Sequence, residues 1–480
     1  MTKMMKYGVL FAIATLISRA TGLIRDVLLA HEFGTGIEFD AYVVAISFPF
    51  LLRRAFAEGA MTSAFVPLYN EKNKSNEFAS AVITTLGIVT VSLTLLIEVF
   101  PKIVPTLLSS GADRKAQDLT AMLSRISMPF IVFIFLWAVL YAIQNSHNKF
   151  FLPAVSPTLM NIGVIAGTLL ARVFDPPILG PTLGFTVGGL LMFVSLIPGS
   201  RKVGFSYRPS FNGVEEFFKL FFPALLAMTV SEFNVLIDVN VASMLGPGSV
   251  SAMQYANRFY QLPFGVFGVA MATVVLPMMV NESDRSQVHL SESIKLSLFL
   301  TIPSMFGLMA LSRRLIILVY QHGAFTYQDT IITSKVLFYY SLGLPLYSIM
   351  AVISRGFHAK KDMKTPFKAT LISFVVNAVL DFVLGFAFNV SGIALATSIA
   401  GLSGMIYLIY KARPKINLVH LSKVIGASIV MISVISLLSL SNDSRFFTIL
   451  LVLIGIFVYA IACKIFKIPE IGEILKLVRR

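Results

Sequence analysis

The sequence is 480 residues long, 56% hydrophobic and only 13% charged, with a formal net charge of +15. Soluble domains have about 25% charged residues, so lipid must surround most of the surface of a chain of this size. The composition excludes a soluble globular protein, and the single cysteine, Cys463, excludes an intramolecular disulfide.

Apolar segments long enough to cross a bilayer recur along the whole chain. A spanning helix needs roughly 20 apolar residues, and that window predicts about fourteen spans in an all-α polytopic membrane protein. We interpret the first as an uncleaved span, because Arg19 and Arg25 interrupt an apolar run that begins like a signal peptide. The predicted spans cover residues 7–30, 39–69, 79–101, 118–145, 153–172, 182–199, 216–245, 250–281, 291–313, 331–356, 366–388, 390–411, 421–440 and 446–463.

Lysines and arginines lie mainly in the loops on one side of the predicted spans. These loops contain 24 of them and the opposite loops contain 7, so the positive-inside rule predicts that both termini are cytoplasmic. The pair Arg313 and Arg314 is the exception, which indicates either a misplaced ninth boundary or a role at the outer surface. Because no basic domain stands apart from the membrane, the charge does not indicate nucleic-acid binding.

Two similar segments indicate an internal repeat. GAMTSAFVP at residues 59–67 ends the second span, and VAMATVVLP at residues 269–277 ends the eighth. The two spans are six helices apart, so the halves would be parallel lobes related by an axis along the membrane normal. The prediction is an N-lobe at 1–200, a cytoplasmic linker at 201–215, a C-lobe at 216–415, and two further spans with a cytoplasmic tail at 416–480.

Eight basic residues lie within the predicted spans or at their edges. An arginine at the bilayer centre costs about 2.5–3.5 kcal/mol, so each needs a partner, water or a route to the interface. We expect Arg125 and Lys335 to reach the interface, and Arg54 to pair with Glu58 four residues later, whereas Arg355 near a cytoplasmic end is undecided. The other four are Arg19, Arg25, Arg53 and Arg258.

These four arginines come from spans one, two and eight, and two interpretations remain open for them. They can hold helices together by pairing with acidic residues such as Asp26, Asp40 and Glu58. Alternatively, they line a water-filled cavity between the lobes and bind phosphate or carboxylate groups, often in a bidentate manner. Because basic residues exceed acidic ones on these spans, the second interpretation predicts a large anionic substrate.

A second polar set lies in other spans, at one predicted depth of roughly 10 Å inside the outer boundary. Two carboxylates, an amide and a hydroxyl suit a hard cation such as Na⁺ or a proton relay, although an Asp–Asn helix contact is the alternative. No enzymatic constellation is present, because the six histidines lack metal-ligand spacing and no Walker-type loop occurs. The set comprises Asp238, Asn377, Asp381 and Thr397.

Several motifs, taken in their order and spacing, resemble the MurJ/MviN family over essentially the whole chain. They are SRxxGxxRD at 18–26, DAY at 40–42, RRxFxEGA at 53–60, FVP at 65–67, QYANR at 254–258, LPxG at 262–265 and YQHGAF at 320–325. The resemblance implies the multidrug/oligosaccharidyl-lipid/polysaccharide exporter superfamily, with two six-helix lobes and two added C-terminal helices. It also implies a multi-pass protein of the bacterial inner membrane.

The same resemblance implies a lipid II flippase that works by alternating access and requires no cofactor. Membrane lipids and lipid II are the implied partners, with a coupling cation possible and no obligate protein partner indicated. The added helices resemble a groove for the polyprenyl tail. The family's cavity charges correspond to Arg19, Arg25, Asp26, Asp40, Arg53 and Arg258.

Three other functions are compatible with parts of this pattern. A flippase for another polyprenyl-linked glycan would share the arginines, and only the motifs disfavour it. A cation-coupled multidrug antiporter would need acidic residues in the central cavity, whereas the excess here is basic. A membrane scaffold that transports nothing would use the buried charges only for assembly and would contain no cavity open to water.

Overall fold

The computed structural model describes residues 3–55, 61–281, 285–440 and 444–472. Within these ranges the chain is helical and contains no strand, which confirms the predicted all-α membrane fold. The helices are α1 Lys3–Phe33, α2 Ile37–Ala55, α3 Met61–Glu71, α4 Asn76–Val99, α5 Ile103–Leu108, α6 Arg114–Ser127, α7 Phe130–Ser146, α8 Phe151–Val155, α9 Pro157–Leu169, α10 Leu179–Lys202, α11 Glu215–Met244, α12 Ser249–Pro263, α13 Ala270–Asn281, α14 Ser286–Val319, α15 Tyr327–Ala359, α16 Lys364–Phe388, α17 Val390–Ala412, α18 Leu418–Ser439 and α19 Arg445–Ile465.

Eleven helical stretches in the described ranges are long and apolar enough to cross a membrane. They correspond to the predicted spans three to six and eight to fourteen. The predicted first, second and seventh spans lie at α1, α2–α3 and α11, which are helical but are not among the eleven. Helix α2 has Glu38 and Asp40 in its first turn and Arg53 and Arg54 in its last. The number fourteen therefore stays a prediction.

Packing divides the chain into two compact units. The first comprises Met1–Ser251 with His322–Phe325, and the second comprises Ala252–Gln321 with Thr326–Arg480. The two units are defined by helix packing, whereas the predicted lobes are defined by a sequence repeat. The predicted lobe boundaries therefore stay a prediction. The first copy of the repeat begins at Gly59 and Ala60, which lie outside the described residues.

In the first unit, glycines bring α9 and α10 into backbone contact. A Cβ atom on Gly163 would overlap the carbonyl oxygen of Gly184, and one on Gly167 would overlap that of Gly180. Small residues at this spacing allow spanning helices to approach closely. Helix α9 also packs against α1, so the α9–α10 pair forms a rigid support for the charged part of α1.

The segment between α10 and α11 lies along the start of α4 in the same unit. The Asn76 side-chain amide donates to the carbonyl oxygen of Gly204 at 3.0 Å, and the Asn212 amide donates to Glu77 at 2.8 Å. The predicted inter-lobe linker is thus attached to the first unit at several points. The Arg208 backbone N–H of the linker donates to Ser80 Oγ at 3.0 Å, and Glu216, in the first turn of α11, pairs with Lys72 at 2.8 Å.

In the second unit, α14 packs on α15, α16 on α17, and α15 on α17, while α18 and α19 pack on each other and on α14. Helix α15 begins with a reciprocal cap, in which Thr326 and Asp329 satisfy each other's backbone N–H groups. Beyond α19, the buried carboxylate of Glu470 accepts from Lys295 at 2.8 Å and lies 3.4 Å from His420 Nε2. This charged contact fixes the end of α19 against α14 and α18.

Candidate functional site

Arg25 lies at the centre of a buried hydrogen-bond network between α1 and α9. Its Nε and one terminal nitrogen donate to Asp26 at 2.9 and 2.7 Å, and the other terminal nitrogen donates to Asn161 Oδ1 at 3.0 Å. The Asn161 amide donates in turn to the carbonyl oxygen of Ser18 and to Thr21 Oγ1, both at 3.1 Å. The planar guanidinium fork is thereby fixed in orientation.

The three predicted charges of α1 therefore have different environments. The side chains of Arg25 and Asp26 are each 9% exposed and form an ion pair. Arg19 is exposed, and no acidic residue of the described chain pairs with it. The sequence placed Arg19 and Asp26 on one face, but the carboxylate is engaged by its immediate neighbour. Of the three predicted site charges on α1, Arg19 is the exposed one.

The two arginines at the end of α2 point to different surroundings. Arg53 is partly buried, with one guanidinium nitrogen 4.0 Å from Met160 Sδ and its central carbon 5.9 Å from the centre of the Phe50 ring. Arg54 donates to Glu232 of α11 at 2.9 Å. The predicted partner of Arg54, Glu58, lies outside the described residues. Arg53 thus lies beside the Met160 thioether and the Phe50 ring, while Arg54 joins two helices.

Asp40 caps the start of α12 from the first turn of α2. One carboxylate oxygen accepts from the Gly248 backbone N–H at 2.6 Å. The other accepts from the Ser251 backbone N–H at 2.7 Å and from the Ser251 hydroxyl. A carboxylate in this position accepts from N–H groups that have no partner within the helix. Its negative charge also interacts favourably with the positive end of the helix dipole. Asp40 also lines a cavity of about 240 Å³ beside Asp113.

The remaining predicted arginines belong to the second unit. Arg258 is partly buried on α12, six residues before the π-helical turn Phe264–Val269 that joins α12 to α13. Such turns occur often at functional sites, because they change the direction in which side chains project. Arg355 is exposed near the end of α15. The first unit thus contains Arg19, Arg25 and Arg53, and the second contains Arg258.

The predicted cation set is divided in the same way, with Asp238 in the first unit and the other three residues in the second. Asn377 and Asp381 are fully buried, and the Asn377 amide donates to Asp381 Oδ2 at 2.7 Å. Thr397 donates to the carbonyl oxygen of Ile393 at 3.0 Å. In the described part of the chain, no group of three or more His, Cys, Asp or Glu residues is placed to hold a metal.

The other basic residues of the spans include Lys335, which is exposed on α15, as well as Arg125 and the pair Arg313 and Arg314. Arg125 is exposed and pairs with Glu98 at 3.3 Å. Helix α14 continues to Val319, beyond the predicted end at 313, so Arg313 and Arg314 are helical. Arg313 donates to the Tyr327 hydroxyl at 2.7 Å, and Arg314 donates to the Ser439 carbonyl. Both explanations for this pair, a misplaced ninth boundary and a role at the outer surface, stay predictions.

Sequence reasoning missed two residues of these networks. Asn161 is a single amide in an apolar helix, and Glu232 is a carboxylate in the middle of α11, far from Glu215 and Glu216 at its start. Neither has a charged neighbour at helical spacing that would indicate a partner. Only the three-dimensional packing of α9 on α1, and of α11 on α2, brings them to Arg25 and Arg54.

Known proteins that resemble this chain belong to one family of membrane transporters. A probable lipid II flippase MurJ of Thermotoga maritima is 46% identical over 469 residues, which cover 97% of each chain. A structure described as lipid II flippase MurJ in an inward closed conformation has a TM-score of 0.89 at 44% identity and covers 95% of this chain and 98% of its own.

More distant structures share the fold. An inward-facing multidrug resistance MATE family transporter of the MOP superfamily has a TM-score of 0.63 at 15% identity, covering 87% of this chain and 98% of its own. A family model described as lipid II flippase MurJ matches residues 29–458. The chain therefore belongs to the MurJ family of lipid II flippases.

Proposed function

We propose that this protein moves lipid II across the bacterial inner membrane, from the cytoplasmic to the outer leaflet, by alternating access. The observation that carries the proposal is similarity to lipid II flippases over 97% of the chain at 46% identity. The TM-score of 0.89 to the structure described as lipid II flippase MurJ supports the same activity. The protein acts as a multi-pass transporter and has no catalytic step of its own.

The substrate that we propose has a pyrophosphate and a carboxylate-bearing peptide on an apolar polyprenyl chain. Guanidinium groups bind such oxyanions with two parallel hydrogen bonds, which supports a role for Arg53 and Arg258 in holding the head group. The accessible Arg19 adds a third charge. Arg25 contributes from a buried position, where Asp26 balances part of its charge. Asp40 supports the site by capping α12.

Release of the head group needs a driving force, because the arginines hold its pyrophosphate dianion tightly. A membrane potential supplies about 2.3 kcal/mol per charge per 100 mV, which favours outward movement of an anion when the cell interior is negative. A cation such as Na⁺ at Asp238, Asn377, Asp381 and Thr397 is the other source that we propose. Replacing Asp381 by Asn should remove any Na⁺ dependence of transport, whereas a potential-driven cycle would keep its rate in this variant.

Complementation tests the cavity arginines. The chain should replace an essential lipid II flippase in cells, and Arg53→Ala and Arg258→Ala should abolish growth at normal expression. Arg125→Ala is the matched control, because Arg125 is also on a spanning stretch but pairs with Glu98 at the surface. Full growth with Arg258→Ala would remove Arg258 from the substrate site.

Reconstitution tests the substrate itself. In vesicles that contain the purified protein, lipid II should become accessible in the opposite leaflet faster than a polyprenyl-pyrophosphate glycan without the peptide. Equal rates for both lipids would favour the alternative of a general flippase for polyprenyl-linked glycans. Protease cleavage of tags at the two termini, in right-side-out and inside-out vesicles, tests their proposed cytoplasmic location.

A further inference from the structure

A cavity of about 350 Å³ lies in the second unit between α14, α15 and the turn that joins α16 to α17. Its volume falls within the range of about 300–1,000 Å³ that is typical of small-molecule sites. One cation, several hydroxyls and aromatic rings line it, and the proposed transport cycle uses none of them. The lining includes Ser312, Ser334, Lys335, Tyr339, Phe388 and Ser391.

The predicted spans place this cavity near a membrane surface, because span nine ends at residue 313 and span ten begins at residue 331. Lys335 is eight residues after the start of α15 and Ser312 is seven before the end of α14, so both lie about 10–12 Å from those helix ends. The α16–α17 hairpin ends at this level, because Asn389 alone connects the two helices and turns with a φ of 53°. Helices α14 and α15 continue past the level of this turn, and the cavity lies beside the end of the α16–α17 hairpin.

The charge of the lining favours an anion over a cation. No acidic residue lines the cavity, and in the described part of the chain Lys335 has no carboxylate partner. The Ser391 hydroxyl, in the first turn of α17, is a further donor in the lining of the same cavity. Ser312 and Ser334 already donate to carbonyls of their own helices, at 3.2 and 3.0 Å, so they offer oxygen atoms to the hydroxyls of a ligand.

The aromatic residues around the cavity indicate that the ligand is part of a lipid. Phe388 is 58% exposed at the rim, and Phe338 is also exposed. Tyrosine, here Tyr339 in the lining, is enriched at the level of the lipid head groups, and a basic side chain reaches the same layer. A soluble anion would gain nothing from these rings, whereas a phospholipid contacts them with its acyl chains and the lysine with its phosphate.

We propose that this cavity binds the phosphate of an anionic phospholipid, in the leaflet on the side where α15 begins. The Lys335 ammonium contacts the phosphate, Ser391 donates to it, and the serines of α14 and α15 accept from the glycerol hydroxyls of the head group. Phe338 and Phe388 contact the acyl chains. The site is separate from the proposed lipid II pathway and depends on no residue assigned to it.

Lysine acetylation in nanodiscs tests the site directly. The full-length protein is incorporated into discs of phosphatidylcholine alone or with phosphatidylglycerol, and a membrane-impermeant acetylating reagent is followed by peptide mass spectrometry. Phosphatidylglycerol should slow modification of Lys335 by more than the roughly fivefold that attraction to an anionic membrane surface alone gives one basic side chain. Lys102 is the matched control, because it is an exposed lysine just beyond α4 that pairs with Asp118 at 3.4 Å.

The outcomes distinguish a specific lipid site at Lys335 from a general attraction of anionic lipid to exposed lysines. Protection of Lys335 without protection of Lys102 supports the site, and equal protection of both lysines overturns it. Protection by inorganic phosphate in phosphatidylcholine discs, as strong as that by phosphatidylglycerol, would also overturn the lipid assignment. In native mass spectrometry, Lys335→Gln should retain less phosphatidylglycerol than the natural protein, and Lys335→Arg should retain as much. Unchanged retention in Lys335→Gln counts against the proposal.

Discussion

Arg54 and Glu232 lie 2.9 Å apart, although 178 residues separate them in the sequence. Their ion pair joins the end of α2 to α11 within the first unit. The Arg54 side chain is 43% exposed and that of Glu232 is 18% exposed, so the pair is neither buried nor freely solvated. The geometry indicates that Arg54 connects helices rather than binding substrate.

A charge exchange tests this role of Arg54. Arg54→Glu and Glu232→Arg should each impair complementation, because each places two like charges side by side. The double exchange restores an opposite-charge pair, and we expect it to recover most of the growth. If Arg54 instead bound a substrate phosphate, the double variant would remain as defective as Arg54→Glu alone. Membrane abundance, measured by immunoblot, controls for loss of the protein.

Asn161 should prove important for the stability of the first unit. Asn161→Ala removes the acceptor of one Arg25 hydrogen bond and the donor to Ser18 and Thr21. Leaving a buried polar group without its partner costs about 1–3 kcal/mol, so the variant should unfold at a lower temperature in detergent. Gln287→Ala is a suitable control, since Gln287 is exposed and makes a 3.4 Å contact with Ala412. Equal melting of both variants would contradict the prediction.

Asp40 should act through α12 even when no substrate is present. Asp40→Ala removes the acceptor for the Gly248 and Ser251 N–H groups, and loss of a helix cap costs about 0.5–2 kcal/mol. Thermal unfolding of the purified protein in detergent without lipid II should therefore shift downward. The comparable cap at Asp113, which accepts from Ala116 at 2.7 Å, should give a similar shift in Asp113→Ala. An unchanged melting temperature in Asp40→Ala would instead indicate a role in substrate binding alone.

The linker between α10 and α11 should move together with α4 during transport. A crosslink between cysteines introduced as Glu77→Cys and Asn212→Cys should form in membranes and leave the flipping rate unchanged, because these residues already touch at 2.8 Å. The native Cys463 is buried and should not interfere. Each single-cysteine variant, treated with the same crosslinker, provides the control. Loss of transport on crosslinking, reversed by reduction, would place a moving joint between the linker and α4.

The sequence was sufficient for properties that depend on composition and local spacing. Long apolar runs predicted the helices, and the four-residue spacing of Asn377 and Asp381 placed the two groups on one face, where they form a hydrogen bond. Partners that come from distant helices could not be predicted. Arg54 donates to Glu232, a partner that the sequence does not indicate, while its predicted pairing with Glu58 stays a prediction because Glu58 lies outside the described residues. An isolated amide such as Asn161 has no pattern around it, because its role arises from helix packing.

The contacts of the segment between α10 and α11 have a consequence for the continuity of the chain. The part before Pro209 is attached to α4 through Gly204 and Arg208, and the part after it through Asn212. A polypeptide cut beside the exposed Pro209 would leave both new ends bound to the same helix. Two fragments produced separately could therefore find each other through α4, and a foreign peptide inserted at this point would not disturb the arrangement of the spans. The segment is thus attached to α4 on both sides of Pro209, and its position does not depend on an unbroken chain.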